Sequence, residues 1–342
     1  MSPPFAFRLS PFAVPLPPFA FRLPTFAFPL PLFRSALLLA LAAALPARAQ
    51  TAAETAAAAA VDAAAADAAA HIKPDRIIPY KQVGGFTLHV SVFTPPGHRP
   101  DRPVAGIVFF HGGGFNIGAP SNFYAQAKHL AQRGLVAISV EYRIRTRHQT
   151  TQREAIQDAF SALRWVRARV AELGIDPKRL AVAGGSAGGF LAAAVTTLQG
   201  LDEPGEDTAV SPRPNALILF NSYLDRGPGS RAFAKVEAAM GEKWKTISPL
   251  HNLYPDFPPT IHFLGTADKN IPVASARKMK SEIEKIGARC DLHLYEGQDH
   301  GFFNYGRGDN AHYRLTLLET DRFLVSLGFL AGPTPDKPLV DR

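Results

Sequence analysis

The sequence predicts an α/β protein whose central sheet is mostly parallel and carries helices on both faces. Three observations point there. Near-continuous apolar runs at residues 104–110, 180–183 and 260–264 have the length and composition of buried strands, and 292–295 reads as a further short strand. Between two of them, Ile156, Ala159, Leu163, Val166, Val170 and Leu173 recur at helical spacing, so strand and helix alternate along the chain. Glycine-rich or polar residues follow the runs directly, as expected of loops at strand ends.

Taken in order, the first 71 residues do not read as folded core. Residues 4–30 repeat a Pro-Phe-Ala-Phe-Arg-Leu theme, complete at 4–9 and 18–23, and their prolines oppose both helix and central strand. Arg34, the apolar stretch 36–45 and Ala47-Arg48-Ala49 before Gln50 then follow the plan of a secretory leader. Residues 1–49 are therefore expected to be a leader, with 1–33 an over-extended reading frame or an unusually long extension of it. The protein is expected to be secreted or periplasmic. No stable membrane span is expected, because the apolar stretch is too short to cross a bilayer. Residues 50–71 are alanine-rich with scattered Glu54, Asp62 and Asp67; they are helical by propensity but have no stripe of large residues to bury, and are expected to be a spacer. The folded domain is expected over 72–331, with a proline-containing tail at 332–342.

Within that domain a strand pair, 76–83 and 86–94, precedes the alternation. Gly174 and Asp176-Pro177 end the helix that contains Ile156 and Leu173. Asp158 on that helix reads equally as a bond to a neighbouring loop or as an exposed carboxylate. Gly184-Gly185-Ser186-Ala187-Gly188 follows the run 180–183 and precedes the helix-like 190–198, so a serine stands at the apex of a tight strand-to-helix turn. That pattern alone also fits an ordinary glycine-rich turn, and its context decides. His111-Gly112-Gly113-Gly114-Phe115 follows the run 104–110 and leaves backbone N–H groups uncovered; Gly113 and Gly114, with Ala187, are the natural donors to a developing oxyanion. Asp268 follows the run 260–264, and His300 follows 292–295, each at a strand's carboxyl end. His300 is placed to take the proton of Ser186, and Asp268 to orient the imidazole, with Asp299 as a competitor for the acid role.

These four segments, in this order, resemble the α/β-hydrolase superfamily, in its hormone-sensitive-lipase-like and acetyl-esterase branch, over about residues 75–330. The resemblance implies the α/β-hydrolase fold, a triad of Ser186, Asp268 and His300, and an oxyanion hole at Gly113, Gly114 and Ala187. The chain departs from the branch at Gly185, where an acid is usual, and at 144–151, where a Pro-Glu pair is usual. The latter segment is more similar to secreted acetylxylan and feruloyl esterases. Phe115, Arg147 and His148 are accordingly the candidate substrate-binding residues, although Arg145, Arg147 and His148 also read as a solvated loop. The expected activity is a serine carboxylesterase acting on carbohydrate-linked acetyl or feruloyl esters. A short-chain lipid-type carboxylesterase, a serine peptidase and a non-catalytic binding protein are the rivals.

Charge and metal chemistry add little. Arg8, Arg22, Arg34 and Arg48, with no acid among the first 49 residues, account for half of the net charge of +8. Lys278, Lys280 and Lys285 interleave with Glu282 and Glu284, as on a solvated helix face, so no nucleic-acid partner is expected. His251, His262, His293 and His312 lack short mutual spacing, and the serine chemistry needs neither metal nor cofactor. Cys290, the only cysteine, reads as a small buried hydrophobe.

Overall fold

Alternate residues of the run 180–183 feed two separate cores: Leu180 and Val182 pack on one side of the sheet, Ala181 and Ala183 on the other. This two-sided burial is why the run lacks polar residues. The computed structural model describes residue 57 and residues 60–340 apart from 229, 231 and 232. Its strands are β1 (Arg76–Val83), β2 (Phe86–Phe93), β3 (Val104–Phe110), β4 (Val136–Val140), β5 (Ile175–Gly185), β6 (Ala216–Phe220), β7 (Thr260–Gly265) and β8 (Cys290–Tyr295). They form an eight-stranded sheet in the order β1-β2-β4-β3-β5-β6-β7-β8. β2 runs antiparallel to β1 and β4, and every pairing from β4 to β8 is parallel. The loops that follow β3, β5, β6, β7 and β8 therefore emerge at one sheet edge, the usual place for a site in such a fold.

The helices are α1 (60–69), α2 (Tyr124–Gln132), α3 (Arg145–His148), α4 (Gln152–Ala168), α5 (Val170–Leu173), α6 (Ala187–Thr197), α7 (Phe233–Met240), α8 (Val273–Lys285) and α9 (Ala311–Ser326). One core takes Ile156 and Leu163 of α4, Leu191 of α6 and Met279 of α8. The other takes Ala69 of α1, Leu130 of α2, and Leu317 and Phe323 of α9. Helices thus cover both faces. Among the described residues, no helix is long and apolar enough to cross a membrane.

Several expectations change. The helical run 156–173 is divided at Arg169, whose backbone (φ −117°, ψ 18°) leaves the helical region, and Gly174 in the left-handed region (φ 62°) ends α5. Arg145–His148 is one helical turn rather than a loop. Asp158 is fully buried: it accepts from Lys81 Nζ at 2.7 Å and from Arg143 N and Nε, both at 2.8 Å. Residues 60–69, expected as spacer, form a helix that buries Asp62, Ala65, Ala66 and Ala69 on one face. The tail is tied down as well, since Leu339 N donates to His129 Nδ1 (3.0 Å) and Tyr313 Oη to Val340 O (2.9 Å). The expected leader, 1–49, lies outside the described residues.

Candidate active site

Ser186 sits between β5 and α6 with φ 52° and ψ −116°, a backbone conformation that is costly for a side-chain-bearing residue and held here by its surroundings. Its N–H donates to Phe220 O at 2.8 Å, which ties the turn to the end of β6. Gly188 has no room for a side chain, because a Cβ would lie 2.0 Å from Phe110 O at the end of β3. Gly185, where the resembled branch carries an acid, faces the ring of Phe303: a Cβ would lie 2.6 Å from Phe303 Cζ. The Phe303 ring therefore leaves no room for a side chain at this position.

The structure brings Ser186, His300 and Asp268 together. His300 Nε2 and Ser186 Oγ are 2.8 Å apart, and His300 Nδ1 and Asp268 Oδ2 are 2.8 Å apart. Asp268 Oδ1 accepts from Asn270 N (2.7 Å) and Ile271 N (2.9 Å), and Oδ2 also accepts from Asn221 Nδ2 (2.6 Å). Burial pushes the Asp268 carboxyl up, but the hydrogen bond and charge of His300, with Asn221 and Ile271, outweigh it and hold it below its ordinary value. Burial pushes the His300 imidazole down. Its bond to Asp268 and the charges of Asp268, Asp62 and Asp299 outweigh that and raise it. Asp299 does not take the acid role, because its carboxylate faces solvent and pairs with Arg307 Nη2 at 2.7 Å.

Gly113 (φ 106°), Gly114 (φ 63°) and Phe115 (φ 62°) carry the chain through left-handed backbone after β3. Gly113 could bear no Cβ, which would lie 2.0 Å from Ile117 O. Among the described residues, the N–H groups of Gly114 and Ala187 have no protein acceptor, and both residues line a cavity of about 310 Å³ with Ser186. Those are the properties of oxyanion donors. The turn is braced from α3: Arg145 N donates to Phe115 O (3.0 Å), and Thr146 N (3.1 Å) and Oγ1 (2.6 Å) donate to Asn116 O.

Of the three candidate substrate-binding residues, the structure brings Phe115 to the cavity and leaves the other two away from its lining. Arg147 pairs with Glu141 at 3.0 Å. His148 is buried, accepts the Ile144 N–H at 3.0 Å and meets the Phe86 ring edge-on. The stretch 144–148 thus supports the oxyanion loop with its backbone, while these two side chains serve its own fold.

Sequence reasoning missed Asn221, Asp62 and Arg226. Asn221 could have been found, since it follows β6 just as Asp268 follows β7. Asp62 gave no comparable signal. Its carboxylate lies against the oxyanion loop, where a Cβ on Gly112 would be 2.4 Å from Oδ2, and Oδ1 accepts from Asn304 Nδ2 at 3.2 Å. Its carbonyl accepts from the buried Asn122 amide. Burial raises the Asp62 carboxyl, against the opposing pull of His300, Asn304, Gly113 and Arg307. Arg226 lines the Ser186 cavity beside Phe190 and Tyr223. Among the described residues no group of three or more His, Cys, Asp or Glu could hold a metal ion.

Residues 107–304 match a protein family described by the alpha/beta hydrolase fold. The chain belongs to the α/β-hydrolase family. A solved α/β-hydrolase, the apo form of Thermogutta terrifontis esterase 2, is 40% identical with a TM-score of 0.72, covering 76% of this chain and 97% of that one. Structures of the same esterase are described as propionate-bound and as phosphoramylated by tabun. The carboxylesterase NlhH of Mycobacterium tuberculosis is 39% identical over 129 residues, 36% of this chain and 39% of that protein. Ethyl acetate hydrolase of Pseudomonas putida is 28% identical over 239 residues, 65% of this chain and 73% of that protein. The chain's matches span 39 to 53% of the length of the first such curated relatives. The site of this α/β-hydrolase has the parts that serine-hydrolase chemistry requires: a hydroxyl hydrogen-bonded to an imidazole, a carboxylate on the imidazole's other nitrogen, and open N–H groups beside the hydroxyl.

Proposed function

We propose that this protein is a carboxylesterase that hydrolyses esters of short acyl groups through an acyl-enzyme on Ser186. The observation that carries this is the unbroken chain from Ser186 Oγ through His300 to Asp268, at 2.8 Å for each bond, opening on a cavity of about 310 Å³. Ser186 Oγ attacks the acyl carbonyl as His300 Nε2 takes its proton. The oxyanion accepts from the Gly114 and Ala187 N–H groups, the Gly113 N–H being turned to the Asp62 carboxylate, and His300 returns the proton to the departing alcohol oxygen. Water, deprotonated by the same imidazole, then releases the acid. The names of the relatives, a carboxylesterase and an ethyl acetate hydrolase, and the propionate and butyrate bound to the Thermogutta esterase support short acyl groups. The carbohydrate-linked acetyl or feruloyl class rested on the resemblance of the 144–151 segment, and the placement of its Arg147 and His148 side chains away from the cavity lends it no support.

A series of 4-nitrophenyl esters from acetate to decanoate tests the reading. Turnover should be highest at short chains and should fall by on the order of 10⁴-fold or more in Ser186→Ala. An organophosphonate should label Ser186 in the wild type. Near-normal turnover by folded Ser186→Ala, or a label on another serine, overturns it. Export is part of the same proposal. It is supported by the leader pattern from Arg34 to Ala49, and the protein recovered from an exporting host should begin at Gln50. Active protein that keeps residues 1–34 overturns it.

A further inference from the structure

Of the enclosed arginines, Arg143 is bonded to Asp158 and Glu203, and Arg164 to Asp202 and Glu206. Among the described residues Arg226, on the loop after β6, lacks a carboxylate partner, as does Arg167, but Arg167 bonds to the carbonyls of Pro177 and Arg213 whereas Arg226 lines the Ser186 cavity. Its neighbour Asp225 is occupied by Lys278 Nζ (2.6 Å) and Gly227 N (2.8 Å). The guanidinium instead lies over the Phe190 ring, with Cζ 4.4 Å from the centroid, and 5.3 Å from that of Tyr223. Its Nε is sealed from solvent and has no acceptor. Burial pulls its pKa down only to about 10, so it carries its charge at neutral pH.

This charge faces the nucleophile's own cavity, whose lining includes Ser186, Ala187, Phe190 and Arg226. A second donor in the same lining, Gln152 Nε2, is also sealed without an acceptor. A desolvated cation and an amide donor without an acceptor thus line one cavity, and each is costly unless an acceptor is brought to it. The walls bear on the side of the scissile bond. The leaving oxygen must depart beside His300 Nε2, yet His300 lines a different cavity, with Val61 and Asp299, and not this one. His300 and Arg226 thus line neighbouring cavities that share Asn270, and the Arg226 side is assigned to the acyl half of the ester.

We propose that Arg226 is a specificity residue of the acyl pocket that binds a carboxylate carried by the substrate's acyl group, so that half-esters of short dicarboxylic acids are preferred substrates. This rests on the reading of Ser186 as the nucleophile of an esterase. The guanidinium presents its donors to the two carboxylate oxygens, a geometry that a lysine ammonium does not reproduce. Phe190 and Tyr223 keep the guanidinium plane in place while the pocket is empty.

The experiment compares ethanol release from monoethyl succinate, glutarate and adipate with release from ethyl butyrate, pentanoate and hexanoate, which match them in chain length but are neutral. At least one charged ester should exceed its neutral counterpart in kcat/KM by about tenfold or more in the wild type. Arg226→Met should erase or invert that ratio, and Arg226→Lys should leave a reduced one. Should Arg226→Met fail to fold, inhibition of the wild type provides the second reading: glutarate should compete with ethyl pentanoate about tenfold better than glutaramide does. Hydrolysis of the neutral esters with no charged ester favoured overturns the assignment to Arg226 alone, as does a ratio that survives Arg226→Met or equal inhibition by the two glutaryl compounds. Hydrolysis of neither series overturns the esterase reading and this one with it.

Discussion

At the scale of single residues, two carboxylates adjacent to His300 have opposite duties from the one that orients it. Asp268 is held by His300, Asn221, Asn270 and Ile271, whereas Asp299 is held by Arg307 at the surface. Asp268→Asn should therefore fold and lose on the order of 10⁴ in kcat by presenting the wrong partner to Nδ1–H, while Asp299→Asn should lose less than about tenfold. Steady-state kinetics on one ester checks the ranking, and the reverse order reassigns the acid. Asp62 acts differently. The groups facing it are His300, Asn304, Arg307, Tyr142 and the Gly112–Gly113 backbone; those facing His300 are Asp268, Asp62 and Asp299. Since His300 must be neutral to act as base and its pKa is raised, the ascending limb of kcat/KM should lie above the ordinary imidazole value of 6.5. In Asp62→Asn the negative charge that favours imidazolium is gone, so the limb should move to lower pH. An unmoved limb would show that Asp62 only packs against the loop.

At the scale of elements, strands were legible where burial on both faces removes polar residues, as in β3, β5 and β7, whereas the half-buried edge strand β8 was legible only as a short run before His300. The triad was legible because each member follows such a run. β4 and β6 carry the same apolar composition, but no chemistry-bearing motif drew attention to them, and Asn221 went unread with β6. The helical propensity of α1 was legible but its docking was not, for a physical reason: its buried alanines, Ala65, Ala66 and Ala69, do not differ from the alanines it exposes, so no periodicity marks a buried face. Long-range pairing is similarly invisible. Asp158 on α4 binds Lys81 of β1 and Arg143 after β4, and Glu203 joins both cations at 2.7 and 2.6 Å. Arg143 is two residues from Arg145, whose N–H braces the oxyanion loop, so this buried network anchors the start of the α3 segment. Asp158→Ala leaves two enclosed cations short of a partner and should cost about 3–5 kcal/mol in urea denaturation. A loss below about 1 kcal/mol would mean that the network contributes little.

At the scale of the whole molecule, the question is where the working enzyme begins. The sheet starts at Arg76, and a chain cut before Ile72 retains every strand and the whole triad. It lacks α1, however, and with it the cover over Asn122, Asn304 and the Gly112 backbone, and the Val61 side chain beside Gly301 and His300. A chain starting at Gln50 keeps all of these. The two truncations should therefore behave differently although neither touches a triad residue. Loss of three buried alanines and the Asp62 contacts should lower the stability of the shorter chain by about 2 kcal/mol, or on the order of 5 °C in Tm. Its ascending pH limb should move in the same direction as in Asp62→Asn, because the same charge has been removed from His300. Pairing the two measurements separates the helix's two contributions: Asp62→Asn in the longer chain should shift the limb with little change in Tm, whereas the cut at Ile72 should change both. Equal Tm and superimposable pH profiles for the chains starting at Gln50 and Ile72 would return residues 60–69 to the role of a spacer.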